Sequence, residues 1–230
     1  MKMIGLIGGM SWESSVLYYQ SINRRVAARL GGLHSARCLL YSVDFAEIEA
    51  CQARGDWERA GERLADTARA LQAAGADLIG LCTNTMHKVA DAIQNAVDIP
   101  LLHIADATGA ALVAAGVRRT GLLGTRFTME QAFYRERLAE RFGLDVVVPD
   151  APARDAVHRV IYDELCRGEV REESRARYVA IVQALVDRGA EGVVLGCTEV
   201  GMLLRPQDAS VPLFDTAQLH AQALVDAALG

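Results

Sequence analysis

Lysine is almost absent from this chain. Of its 24 basic residues, only Lys2 and Lys88 are lysines. Lys2 opens the sequence, and Lys88 falls in what reads as the exposed start of a helix. Neither suits the Schiff-base lysine that pyridoxal phosphate chemistry requires. No apolar run reaches the roughly 18 residues of a membrane span. The start, Met1–Gly8, is too short and too glycine-rich for a signal peptide and reads as a first strand. Basic excess is missing as well: the net charge is −5 and the pI about 5.6, which argues against a nucleic-acid partner. The five cysteines are odd in number, widely spread and contain no Cys-x-x-Cys pair. They predict reduced thiols in a cytoplasmic protein, not a disulfide framework. No His, Cys, Asp or Glu group has metal-ligand spacing. Gly5-Leu6-Ile7-Gly8-Gly9 lacks the Gly-x-Gly-x-x-Gly spacing of a dinucleotide loop, so a nucleotide is not expected either.

What the chain does contain is an internal repeat. Gly75–Thr85 aligns with Gly189–Glu199, Gly5–Gly8 with Gly121–Gly124, and Ile99–Leu102 with Val211–Phe214, in one order and at nearly one offset. With 51% hydrophobic residues, the chain can bury a core in each copy. Short apolar runs alternate with amphipathic stretches. Strands are predicted at Met3–Gly8, Arg37–Val43, Leu78–Cys82, Arg119–Gly124, Leu144–Val148 and Gly192–Gly196, with a short strand after Pro100. Helices are predicted at Trp12–Leu30, Asp56–Ala74, Thr85–Ala96, His103–Ala115, Met129–Phe142, Ala153–Arg167, Glu172–Arg188 and Ala217–Leu229. Wholly apolar strands alternating with helices mean parallel sheets covered on both faces. The expected fold is α/β: two similar Rossmann-like domains related by a pseudo-two-fold axis. One comprises 1–103 plus 215–230 and the other 104–214, with the active site in a cleft between them.

In parallel sheets, ligands bind beyond the carboxyl ends of the strands. Those ends carry Gly8-Gly9-Met10-Ser11, Thr83-Asn84-Thr85, Gly124-Thr125 and Cys197-Thr198-Glu199. Each is expected to open a helix whose free N–H groups favour an anion such as a substrate carboxylate. The repeat equates Thr83 with Cys197, a layout for taking a proton from one face of a small molecule and returning it to the other. A helix N-terminus would lower the Cys197 thiol pKa. Cys82 should point the other way on its strand and read as core. His87, one helical turn after Thr83, either supports the site or sits on a helix surface. Glu199 either orients the thiol, binds a substrate ammonium group or caps a helix. His158, Asp155 and Asp163 read as ordinary helix-face residues.

Gly5-Leu6-Ile7-Gly8-Gly9-Met10, Asn84-Thr85-x-His87 and Gly196-Cys197-Thr198-Glu199 resemble the signatures of the aspartate/glutamate racemase family over nearly the whole length. The resemblance implies two Rossmann-like domains, no cofactor, a small amino-acid substrate and a homodimer. It also implies two-base proton transfer at the α-carbon, with a cysteine from each domain. Here Thr83 stands where the first cysteine belongs, as in an atypical Thr/Cys branch specific for L-aspartate and L-glutamate. A one-residue slip would turn Cys82 to the wrong face. The implied catalytic pair is Thr83 and Cys197, with Met10, Gln52, Asn84, Thr85, Thr125, Thr198 and Glu199 around the substrate. Two positions where the family tends to carry a basic residue fall near Gln52 and at Cys166, which weakens the case for aspartate as sole substrate. Arg54, Arg126 and Arg167 are the available substitutes. Two other readings share the fold: decarboxylation or cis–trans isomerisation of a small diacid by one cysteine, and a non-catalytic ligand-binding relic.

Overall fold

The computed structural model describes residues 1–230. The chain divides into two compact units, residues 1–103 with 220–230, and residues 104–219.

The first unit contains β1 (Ile4–Gly8), α1 (Trp12–Leu30), β2 (Cys38–Ser42), α2 (Phe45–Arg54), α3 (Trp57–Ala73), β3 (Leu78–Leu81), α4 (Ala90–Gln94) and β4 (Leu101–Leu102). Its sheet runs β2-β1-β3-β4, and every pair is parallel. The second unit contains α5 (Ile104–Ala114), β5 (Arg119–Gly124), α6 (Arg126–Glu130), α7 (Ala132–Phe142), β6 (Asp145–Val147), α8 (Ala151–Asp163), α9 (Glu172–Asp187), β7 (Gly192–Gly196), α10 (Val200–Leu203) and β8 (Leu213–Asp215). Its order, β6-β5-β7-β8, is also all parallel. The two sheets share one topology, which the internal repeat predicts. α11 (Thr216–Leu229) begins in the second unit and ends in the first. No helix is long and apolar enough to cross a membrane.

The central strands explain the parallel order. β1 and β3 are buried at every position, as are β7 and all of β5 after Arg119. Such strands need helices on both faces. In the first unit one face holds Ile7, Ile79 and Leu81 under α2, α3 and α4. In the second, Leu123, Val193 and Leu195 pack under α8 and α9. Leu122 and Val194 pack on the opposite face with α5 and α7.

Two glycines stand where a side chain has no room. Gly9 has φ +92°, and a Cβ there would lie 2.3 Å from the Val43 carbonyl oxygen. Gly80 lies in the middle of β3, where a Cβ would meet Leu224 of α11 at 2.6 Å. The end of α11 is thus pressed onto β3, and Lys2 N–H donates to the Ala228 carbonyl at 2.9 Å beside it.

His220 of α11 is completely buried. Its Nε2–H donates to the Leu102 carbonyl at 2.8 Å, and its Nδ1 accepts from the Tyr18 hydroxyl at 2.9 Å. Burial lowers its pKa to about 4. An unfolded histidine titrates near 6.5, so the unfolded chain binds this proton more readily. The stabilisation is present above about pH 6.5 and is lost as pH falls through about 4. Between pH 7.5 and 4 the loss from this residue is about 3 kcal/mol, since each pKa unit is worth about 1.4 kcal/mol. Urea unfolding at the two pH values checks this. The difference in unfolding free energy should shrink by about that amount in His220→Gln.

Candidate active site

The first unit presents the end of β3. Cys82 is fully buried, its Sγ lies 3.9 Å from the Gly80 carbonyl, and burial raises its pKa. It is a core thiol. Thr83 is buried next to it, and its N–H donates to the Leu81 carbonyl at 2.9 Å. The Thr83 carbonyl accepts from His87 Nδ1–H at 2.7 Å. That bond places the proton on Nδ1 in the neutral ring. His87 is buried, not a surface residue, and ties the turn to the strand end.

The helix expected over Thr85–Ala96 does not form as one piece. Thr85–Val89 is a 3₁₀ turn, Val89 leaves helical geometry at φ −109°, ψ 21°, and α4 has only five residues. His and Val have modest helix propensity. Here the His87 bond back to Thr83 and the Lys88 ammonium, 4.0 Å over the Trp57 ring, hold the turn in place instead. The dipole of a long helix is therefore missing behind Thr83.

Asn84, Thr85, Gln52 and Met10 are all buried in this unit. Gln52 Nε2 lies 3.0 Å from Met86 Sδ. Met10 precedes Ser11 through a cis peptide, and Ser11 caps α1 through its hydroxyl. The Gly9 N–H donates to Ser15 Oγ at 2.8 Å, so that amide is already used within the loop.

The second unit presents the end of β7. Cys197 is 8% exposed and follows Gly196 directly. Its thiol donates to Glu199 Oε2 at 2.9 Å, and the Thr198 hydroxyl donates to the same oxygen at 2.9 Å. Glu199 itself is 1% exposed. Burial, then the Glu199 carboxylate, then the Cys166 thiol hold the Cys197 pKa well above the ordinary thiol value. A backbone hydrogen bond from Glu199 only partly opposes them. This reverses the expectation from sequence of a lowered pKa. The physical reason is that α10 has four residues, too few for a strong dipole, while a buried carboxylate stands against the sulfur. The resting group is a thiol already hydrogen-bonded to a base.

Thr125, at the end of β5, is also buried. Its hydroxyl accepts from Thr128 N–H at 3.3 Å and caps α6. His158 is more than a helix-face residue: it accepts from Arg126 N–H at 3.3 Å, and its ring lies 4.7 Å from Tyr162. No group of three or more His, Cys, Asp or Glu side chains is arranged to hold a metal ion.

Of the residues singled out in the sequence, Met10, Gln52, Thr83, Asn84, Thr85 and His87 lie in the first unit. Thr125, Cys197, Thr198 and Glu199 lie in the second. Sequence reasoning missed the other partners of the Thr83 end. The His87 ring lies 4.4 Å from His103 and 5.9 Å from His220, centroid to centroid. Nothing local in the sequence marks those rings, because the chain brings them from distant segments.

The family model described as Asp/Glu/Hydantoin racemase matches residues 7–224. The chain belongs to this racemase family. It is 55% identical to a candidate Asp/Glu racemase from Yersinia pestis, over the whole of both chains, with a TM-score of 0.92. It is 36% identical to an aspartate racemase homologue from Pyrococcus horikoshii OT3, again over the whole of both chains, with a TM-score of 0.84. A curated relative, the broad specificity amino-acid racemase RacX of Bacillus subtilis, is 25% identical over 74% of this chain and 73% of its own.

Proposed function

We propose that the protein is a pyridoxal-phosphate-independent amino-acid racemase that moves the α-proton of aspartate, glutamate and related amino acids by a two-base route. The observation that carries this reading is the buried Cys197–Glu199 hydrogen bond of 2.9 Å. It supplies a thiol with its own proton acceptor, which is what a weak nucleophile or base needs for activation.

In the proposed reaction, Cys197 passes its proton to Glu199 and the thiolate takes the α-proton. The electron pair of the broken C–H bond moves into the carboxylate as an enolate-like charge. Backbone N–H groups near Asn84-Thr85 and Thr198-Glu199 stabilise that charge. The Thr83 hydroxyl then donates a proton to the α-carbon from the other side, its alkoxide recovers a proton from water, and Glu199 gives up its proton to the hydroxide so formed, which restores the starting state. The reverse reaction starts at Thr83. A threonine hydroxyl is a far weaker acid than a thiol, so its alkoxide is a costly base, and α-proton exchange should be slower from the enantiomer that faces Thr83. The equilibrium constant between enantiomers is one, so kcat/KM is equal in the two directions. The asymmetry slows racemisation without driving it one way.

The side-chain grip is the open part of substrate choice. Gln52 and Cys166 carry no positive charge, which favours a range wider than the acidic amino acids. The named breadth of the Bacillus subtilis relative agrees with this. The test is polarimetry on the L enantiomers of aspartate, glutamate and a panel of neutral amino acids. Rotation should decay toward zero for at least one of them with the wild-type protein. Persistence of rotation with every substrate would refute the racemase reading.

A further inference from the structure

Tyr18, His220 and His87 form a buried chain of contacts that the proposed proton transfer does not use. They come from α1, α11 and the turn after β3. Tyr18 is 1%, His220 0% and His87 3% exposed. The His220 ring has both nitrogens engaged, Nδ1 by the Tyr18 hydroxyl and Nε2 by the Leu102 carbonyl. That fixes its orientation and its tautomer. It meets the His87 ring in a T-shaped contact at 73°, with centroids 5.9 Å apart. His87 in turn donates to the backbone carbonyl of Thr83. Leu224, one turn further along α11, presses on Gly80 of β3, so the same helix supports the strand that ends at Thr83.

We propose that Tyr18 and His220 are positioning residues for Thr83, acting through His87. This rests on the racemase reading above and adds the residues that set one of its two proton-transfer groups. The energetic reason is geometric: misplacing a reacting group by about 1 Å can cost about 10²-fold in rate. A two-point clamp on the His220 ring removes the freedom by which His87, and with it the Thr83 carbonyl, could drift. His103 also packs on His87, its ring tilted 55° with centroids 4.4 Å apart.

The readout is α-proton exchange in D₂O, followed separately on each enantiomer. Thr83→Val identifies the enantiomer whose exchange depends on Thr83. Tyr18→Phe, which removes only the hydroxyl, should slow exchange from that enantiomer by about tenfold and leave the other within about twofold. His220→Leu should slow it further. His220→Gln should recover part of the loss, because an amide can still donate to the Leu102 carbonyl. General loss of structure would lower both enantiomers together, so equal losses, or no loss in Tyr18→Phe and His220→Leu, would overturn the positioning role. Absence of Thr83-dependent exchange in the wild-type protein would instead overturn the two-base reading, and this role with it.

Discussion

Cys197→Ala is expected to reduce racemisation at least about 10³-fold, within the range that a positioned acid–base group contributes. The argument is chemical and local. Cys197 is the only thiol at the end of β7 with a carboxylate acceptor at 2.9 Å. Cys82 is completely buried with a raised pKa, and its nearest acceptor is a backbone carbonyl, so it cannot substitute. Alanine also removes little volume. The cavity cost is small beside that of a large apolar truncation, so the folded protein should persist. Turnover of the best substrate, measured with unfolding midpoints of both proteins, separates lost chemistry from lost fold. Activity within tenfold of wild type would remove Cys197 from the mechanism.

Glu199→Gln is the second large effect, about 10²-fold in kcat with a smaller change in KM, as expected for a group needed at the transition state more than for binding. Glutamine preserves the shape and can still receive the Thr198 hydroxyl, but it is a far weaker proton acceptor. The sign of the thiol titration makes this prediction sharp. The Glu199 charge is one of the causes that hold the Cys197 pKa up. Removing that charge should therefore lower the midpoint of thiolate formation, read from thiolate absorbance in the ultraviolet. Burial remains the larger cause, so the midpoint should stay above the usual thiol value. The variant would hold more thiolate at a given pH and yet turn over more slowly. A rise in activity along with the thiolate fraction would show that Glu199 only suppresses the thiol and does not accept its proton.

The repeat made the topology legible. Apolar runs such as Leu78–Leu81 and Gly192–Gly196 have a single physical solution, a buried parallel strand, and both lie where the pattern predicts. The helix Phe45–Arg54, framed by its caps Asp44 and Gly55, was not foreseen. The helix behind β3 was expected over Thr85–Ala96 and is instead a 3₁₀ turn followed by the five-residue α4. Ala153–Arg167 likewise ends at Asp163, with a 3₁₀ turn over Leu165–Arg167. Such boundaries depend on where side chains bond to backbone, as His87 does to Thr83, and periodicity does not record that. The Cys197 pKa failed for a related reason. The sequence shows Glu199 two residues on, but not that its carboxylate folds back onto the sulfur in a buried setting. His103 and His220 were invisible because only the fold brings them to His87, and Tyr18 because only the fold brings it to His220.

The central claim, that Thr83 and Cys197 act on opposite faces of one α-carbon, is tested most directly by α-proton exchange in D₂O. It should be followed by NMR on separate L and D samples of aspartate and glutamate, with the wild-type protein, Cys197→Ala and Thr83→Val. The account predicts that each variant loses exchange from a different enantiomer: Cys197→Ala from the one exchanged faster by wild type, Thr83→Val from the slower one. Loss of the same enantiomer in both variants, or exchange of both enantiomers surviving in either, would contradict it.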